Sequence, residues 1–185
     1  MIKLNLDGVE MTQDSLSLEP GQYLCEIIRV EDVQEKEYLK IGFDIIDGKF
    51  KNIMSRIHSS KGRWPASGIM YKSYKQKALG YFKRFIVAVE KSNADYIFDF
   101  DEQKLLHKKF VGNFGIEEWI NDSGEVVESV KLEEARSVES WKQGKIQTPA
   151  PKRIKQEDLQ PVKEETDPVK KELNSLQKEI DDLPF

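Results

Sequence analysis

The chain has 185 residues, with 33 acidic and 29 basic side chains and a net charge of −4. A single cysteine, Cys25, excludes an intramolecular disulfide, and two distant histidines leave no Cys/His zinc site. No apolar run approaches the roughly 20 residues of a membrane span and no basic-then-apolar leader opens the chain, so we expect a protein of the cytoplasm.

The first part of the chain predicts strands. Residues 1–19 have the pattern of an N-terminal arm or leader strand. The run from Gln22 to Val33 has apolar residues at both odd and even positions, as in a strand buried on both faces or curled across a barrel. Strict alternation from Tyr38 to Asp47 predicts a second strand. Because Asp47-Gly48 is a two-residue hairpin signal, we expect residues 49–58 to return as a third strand.

The second part predicts one helix and two further strands. Residues 59–68 have a loop composition, and a helix is expected from about Met70 to Lys91. Alternating apolar residues predict a fourth strand from Phe110 to Trp119 and a fifth from Val126 to Val138. One stripe of the helix has the spacing of core residues: Tyr74, Ala78, Phe82, Phe85 and Val89.

Residues 49–89 contain no Asp or Glu, although acids outnumber bases in the chain. This stretch holds ten Lys or Arg and seven aromatic residues, whereas the rest of residues 1–147 has 24 acids against 12 bases. Single-stranded nucleic acid needs cations for its phosphates and flat side chains for its bases. The candidate phosphate contacts are Lys49, Lys51, Arg56, Lys61, Arg63 and Lys72.

Three aromatic residues remain as stacking candidates once the helix stripe is assigned to the core: Phe50, Trp64 and Tyr71. Trp64 is either tucked under its Gly/Ser/Pro loop or held out for a ligand. Its place between Arg63 and Pro65 in the basic stretch favours the ligand.

The composition changes after residue 145. Residues 146–168 are rich in Lys, Glu and Pro and predict a disordered linker, because they cannot bury enough apolar surface to fold. Residues 169–185 carry apolar side chains spaced by 4, 3, 4 and 3 from Val169 to Leu183, which indicates an amphipathic segment. So short a helix is expected to form only on a partner or in an oligomer.

Five strands with a helix between the third and fourth is the order of an OB-fold. Together with the linker and the terminal Asp181-Asp182-Leu183-Pro184-Phe185, this order resembles single-stranded DNA-binding proteins of the bacterial and phage type. Residues 21–140 are also similar to a group of phage replication and recombination proteins. The resemblance implies a β-rich α+β fold, with a five-stranded OB-like barrel at residues 20–145 followed by a disordered tail.

The resemblance also implies a division of labour. The domain would coat single-stranded DNA in replication and recombination, and the tip would dock replication, recombination and repair enzymes. Asp181 and Asp182 would meet basic residues of the partner, Leu183 and Pro184 would precede the ring of Phe185 in an apolar pocket, and the Phe185 carboxylate would pair with an Arg or Lys. This chain departs from the family pattern in its short acidic run and its Lys/Glu/Pro linker.

Two other functions compete with a non-catalytic DNA coat protein. The first is an adaptor that acts through protein contacts alone. The second is a metal-dependent nuclease that uses clustered acids, which lie among other acids without a recognisable motif: Asp99, Asp101, Glu117 and Glu118. No phosphate-binding Gly-rich loop and no nucleophile-base motif supports an enzyme, so we expect no catalysis, cofactor or metal. A homo-oligomer is left open, and no membrane contact is expected.

Overall fold

The computed structural model describes residues 17–154, which are built around one antiparallel sheet. Its strands lie in the order β3-β2-β1-β4-β5. They are β1 (Gly21–Val33), β2 (Tyr38–Ile45), β3 (Ile69–Ser73), β4 (Lys109–Ile120) and β5 (Val126–Arg136). Within the described residues no strand pairing joins β3 to β5, so the sheet is not closed into the barrel that the sequence predicts. The short β3, of five residues, ends the sheet on one side.

Three α-helices accompany the sheet in this part of the chain: α1 (Ile53–Lys61), α2 (Leu79–Glu90) and α3 (Val138–Lys142). Single turns of 3-10 helix occur at Gln34–Lys36, Ala66–Gly68, Gln76–Ala78 and Glu102–Leu105. None of the helices between residues 17 and 154 combines the length and the apolar character that crossing a lipid bilayer requires.

The structure confirms four of the predicted strands and the helix between the third and fourth strands. β1, β2, β4 and β5 match the predicted runs, and α2 lies between β3 and β4. The core side of α2 is also as predicted, since Phe85 and Val89 are buried and Phe82 packs against the core. Long alternating or helix-periodic segments carry enough repeats for the pattern to determine the element.

The predicted third strand at residues 49–58 is wrong, because this segment forms α1. Gly48 does lie in a turn, with φ of 77°, but the chain then continues into a helix. Phe50, Ile53, Met54 and Ile57 recur at helical spacing, and the first three are at most 2 % exposed. The free edge of β2 is instead paired with β3, where Ile41 lies opposite Met70.

The predicted start of the long helix at Met70 is also wrong, because the first residues of this segment form a strand. Residues 69–73 are extended in β3, and α2 begins only at Leu79. Pairing with β2 satisfies the backbone groups on the inner edge of β3, and Tyr74 N–H donates to the carbonyl of Glu37 at 3.0 Å. Tertiary pairing therefore overrides the local helical pattern here.

A buried carboxylate fixes α1 to the sheet. Asp44 of β2 is only 3 % exposed. Its Oδ1 accepts hydrogen bonds from the backbone N–H of Met54 at 3.0 Å and of Ile45 at 2.8 Å. Its Oδ2 accepts from the backbone N–H and the hydroxyl of Ser55, at 3.0 and 2.6 Å. Asp44 thus caps the first turn of α1 from a neighbouring strand and satisfies donors that a helix N-terminus leaves open.

The core lies on one face of the sheet, under α1 and α2. Edge-to-face aromatic pairs run through it, including Phe43 with Phe110 at 5.5 Å between ring centroids. Gly112 is needed there, because a Cβ at this position would lie 2.5 Å from a ring carbon of Phe114 and 3.1 Å from Cys25 Sγ. Burial also raises the pKa of the Cys25 thiol.

The ordered unit continues past the predicted linker boundary at residue 145. Lys152 N–H donates to the carbonyl of Ile116, and Glu118 N–H donates to the carbonyl of Lys152, both at 2.9 Å. Asn113 Nδ2 donates to the carbonyl of Gln147 at 2.9 Å. Residues 146–152 therefore pack along β4. The predicted N-terminal arm up to residue 16, the linker beyond residue 154, the amphipathic segment and the C-terminal tip lie outside the described residues.

Replacing Asp44 with Ala should destabilise the protein by about 2–4 kcal/mol, because two buried and two partly buried donors lose their acceptor. The matched control is Asp47→Ala, since exposed Asp47 accepts only from the N–H of Gly48; a change within about 0.5 kcal/mol is expected. Urea unfolding monitored by circular dichroism measures both. Equal midpoints for the two variants would contradict the capping role.

Candidate nucleic-acid interface

The nine residues predicted to contact nucleic acid do not form one surface. Seven of them, from residue 49 to residue 64, lie on α1 or beside it. Tyr71 and Lys72 are neighbours on β3, so their side chains lie on opposite faces of the sheet. The structure therefore separates the predicted set into α1 cations, buried aromatics, an outer-face tyrosine and an inner-face lysine.

Phe50 does not fit its predicted stacking role. It is 2 % exposed, and its ring contacts that of Tyr23 edge-on at 5.4 Å. Lys49 Nζ lies 5.1 Å from the Phe50 ring centroid and is paired with Glu19 at 2.7 Å. Phe50 is thus the first apolar residue of the buried α1 face rather than a surface platform.

Trp64 is tucked under its loop, which corrects the predicted ligand-facing orientation. Its side chain is half-buried against the core. Its Nε1–H donates to the carbonyl of Gly68 at 3.0 Å, and its ring lies 5.7 Å from that of His58. A Trp whose only polar group is satisfied by its own loop is held in place by packing and hydrogen bonding.

Tyr71 remains available to a ligand, with 59 % of its surface exposed. It meets Tyr38 edge-on at 5.4 Å between ring centroids on the outer face of β2 and β3. Lys40 is on the same face, opposite Tyr71, and lies 3.8 Å from Glu31. Glu31 is shared with Arg29 at 3.4 Å, so it offsets the charge of Lys40 only in part.

Most bases of the acid-free stretch have no counterion among residues 17–154. Seven of its ten bases are exposed and form no ion pair there, and Lys72 forms none either. By contrast, half of the twelve other bases in residues 17–152 are paired with a carboxylate. The seven unpaired bases are Lys51, Arg56, Lys61, Arg63, Lys75, Lys77 and Lys83.

A cationic trough runs between α2 and β5, across the opening in the sheet. One end is a groove of about 590 Å³ that residues 145–150 help to line. It shares Arg84 and Arg136 with an adjoining groove of about 350 Å³. Two carboxylates, Glu133 and Glu134, line the trough. Its six bases are Lys72, Lys83, Arg84, Lys91, Arg136 and Lys145.

Glu134 lies among the cations of the trough. It pairs with Arg84 of α2 and, at 2.6 Å, with Arg136 of its own strand. Lys72 lies beneath them, with Nζ 5.3 Å from the ring centroid of Phe85. Burial lowers the pKa of Lys72, Glu134 opposes this effect and Arg84 adds to it. An anion entering the trough would favour the charged form of Lys72.

Two further groups could contact a nucleotide in the trough. Tyr81 of α2 is 72 % exposed and lines the larger groove. Asn113 of β4 is 4 % exposed, and its Oδ1 has no hydrogen-bond partner in the described structure. Because Asn113 Nδ2 is committed to the carbonyl of Gln147, Oδ1 is the free acceptor.

The acids considered for a nuclease do not converge. Asp99 pairs with Lys104, which holds the pKa of that carboxyl below its usual value, and Glu117 pairs with Lys131 of the next strand. Across residues 17–154 no group of three or more His, Cys, Asp or Glu side chains is placed to hold a metal ion.

Of the six bases in the trough, only Lys72 belongs to the contacts predicted from the sequence. Lys91, Arg136 and Lys145 lie outside the acid-free stretch. Folding places Arg136, at the end of β5, and Lys145, after α3, in the same groove as residues of α2. Tyr81 could have been found, because it lies off the apolar stripe of α2 that begins with Phe82 and Phe85.

Gly68→Ala should destabilise the protein by about 1–3 kcal/mol, because the added Cβ would lie 2.6 Å from Trp64 Nε1 and 2.9 Å from Met54 Cγ. Gly80→Ala is the control. Nothing lies within 4 Å of a Cβ there, so this helix position should gain up to about 1 kcal/mol. Thermal unfolding followed by tryptophan fluorescence measures both. Opposite signs are expected, and a tolerated Gly68→Ala would show that Trp64 is not fixed.

No known protein-family model matches this chain. A search of curated proteins likewise finds no similar sequence. The candidate interface therefore rests on the geometry and charge of the residues described above.

Proposed function

We propose that the protein is a non-catalytic single-stranded DNA-binding protein whose OB-like sheet binds the strand in the cationic trough. The observation that supports this most directly is the trough itself: six bases against two carboxylates, with an exposed tyrosine, in the opening between β3 and β5. Phosphates would contact the bases, and Tyr81 would stack on a nucleobase.

The trough favours single strands over duplex for a physical reason. In a duplex the base faces are already stacked, so Tyr81 and the buried Asn113 acceptor would gain nothing from it. A single strand offers phosphates, base faces and N–H donors together. Binding is expected to depend strongly on salt and weakly on sequence, because phosphate contacts release counterions.

The C-terminal tip adds a second proposed role, which rests on sequence chemistry alone. Asp181, Asp182 and the Phe185 ring and carboxylate suit an apolar pocket with a basic edge on a replication or recombination enzyme. A chain that lacks residues 181–185 should retain oligonucleotide binding and lose capture of such enzymes in pull-down from the native cell extract. Equal capture with and without the tip would contradict this role.

The trough can be distinguished from the α1 cations with three variants of equal charge change. The trough variant carries Gln at Lys83, Lys91 and Lys145; the α1 variant carries Gln at Arg56, Lys61 and Arg63. The control carries Gln at Lys36, Lys109 and Lys142, which are exposed and line neither part of the trough.

The trough variant should bind a labelled oligo-dT roughly 10- to 100-fold more weakly at low salt. The slope of log K against log salt should fall in magnitude by about 2, at roughly 0.7 per lost phosphate contact. Fluorescence anisotropy against salt measures both, and the control should match the wild type. If the wild type binds no oligonucleotide, or binds duplex equally well, the function is wrong and the adaptor is favoured. Loss in the α1 variant alone would move the interface to α1.

Tyr81→Ala should weaken oligonucleotide binding by about 1–3 kcal/mol through lost stacking. Tyr71→Ala is the matched control, since Tyr71 is similarly exposed but faces the outer side of β3. Both tyrosines are exposed, so both variants should fold. A larger loss for Tyr71→Ala would place the stacking surface on the outer face of the sheet.

A further inference from the structure

Residues 95–102, between α2 and β4, form an acidic knob with two apolar side chains at its surface. Phe100 is 88 % exposed and Ile97 is 80 % exposed, more than any other large apolar side chain of residues 17–154. The knob carries four acids, Asp95, Asp99, Asp101 and Glu102. Lys104, which pairs with Asp99 and lies 3.9 Å from Asp101, offsets one of these charges. Exposed apolar residues within a charged rim are typical of interaction sites.

The knob is held in its conformation by specific contacts. Phe98 turns inward and packs against Phe82, with ring centroids 6.2 Å apart, and beside Phe100 at 5.6 Å. Phe98 N–H donates to Glu90 Oε1 at 2.9 Å. Asp95 and Phe100 have φ of 60° and 67°, a conformation that residues with side chains rarely adopt. Backbone strain of this kind persists where the surrounding structure imposes it, and it concentrates at functional sites.

A surface with the complementary chemistry lies beside α1. An apolar groove of about 570 Å³ is lined by Leu18, Ile53, Ile57, Trp119 and Val130, among others. Trp119 is 45 % exposed in it.

Cations flank this apolar groove. Lys131 lines the groove and is paired with Glu117 at 2.5 Å. Two cations of α1 lie next to the lining without being part of it: Lys61, on the same helical face as Ile53 and Ile57 and one turn further along, and Arg56, on the adjacent side of the helix. Neither Lys61 nor Arg56 has an ion pair among residues 17–154. The groove therefore combines an apolar floor with a basic border, whereas the knob combines apolar side chains with an acidic border.

We propose that the acidic knob of one copy docks into the apolar groove of a second copy of this chain. Ile97 and Phe100 would contact the apolar floor, and the acids of the knob would meet Arg56 and Lys61. Because the two surfaces differ, two copies can exchange knob and groove reciprocally in a two-fold dimer, or each copy can place its knob in the next copy to form a ring or an open chain. This proposal concerns surfaces outside the cationic trough and does not require that the protein bind DNA.

Sedimentation velocity over a concentration series tests the contact in the full chain. The knob variant carries Ile97→Ser and Phe100→Ser, and the groove variant carries Arg56→Glu and Lys61→Glu. The control is Val126→Ser, an apolar residue that is 46 % exposed and lines neither surface. The wild type and the control should associate as concentration rises. Each of the other two variants should lose association by roughly thirtyfold or more, as expected for the centre of an interface.

Mixing the two variants provides the decisive measurement. An equimolar mixture should form a one-to-one complex, because an intact knob on the groove variant meets an intact groove on the knob variant, and it should grow no further. A wild type that stays monomeric at every concentration would overturn the proposal. So would association that persists in the knob variant, or a mixture that remains monomeric although circular dichroism shows both variants to be folded.

The charged border of the knob can be tested separately. Asp95→Asn with Glu102→Gln should weaken association mildly, and added salt should weaken association of the wild type.

Discussion

The carboxylate of Asp44 is the interaction on which the remaining arrangement depends. It holds the first turn of α1 against the sheet through three hydrogen bonds, from the N–H of Met54 and from the N–H and hydroxyl of Ser55. Because a helix comes directly after β2, the edge of β2 is left for residues 69–73 to pair with. That pairing makes β3 the last strand on its side and directs Lys72 toward α2. The cap on α1 thus bears on the position of Lys72, whereas the other five bases of the trough lie on α2, on β5 and in the segments that follow α2 and α3.

Hydrophobic periodicity in the sequence predicts the long strands and helices, which contain many repeats of the pattern. It fails where a contact with a residue distant in sequence determines which element forms. β1, β2, β4 and β5 each span eight or more residues, and their alternation could be recognised. The Asp47-Gly48 signal correctly indicates a turn but cannot show whether the chain next enters a strand or a helix. The helical spacing of Phe50, Ile53 and Ile57 was present in the sequence, whereas the cap from Asp44 is a tertiary contact and could not be inferred from sequence spacing.

The positive charge of the candidate site could be predicted from the sequence, but the directions in which its side chains face could not. The acid-free stretch correctly locates cations without partners in the described structure, since charge composition is a property of sequence. Which way each side chain faces depends on the element: adjacent Tyr71 and Lys72 face opposite sides because β3 is a strand. The sequence left open whether Trp64 is buried under its loop or exposed to a ligand. In the structure its hydrogen bond to the carbonyl of Gly68 holds it under the loop. Arg136 joins the trough only because β5 folds back beside α2.

The opening between β3 and β5 also leaves two strand edges whose outward amides have no strand partner among residues 17–154. A main-chain N–H is a donor that carries no net charge and does not titrate. Contacts that a ligand makes with such amides would be screened by ions far less than those made with lysine. The opening between β3 and β5 therefore offers a ligand hydrogen bonds that persist at ionic strengths where its contacts with lysine and arginine are weakened.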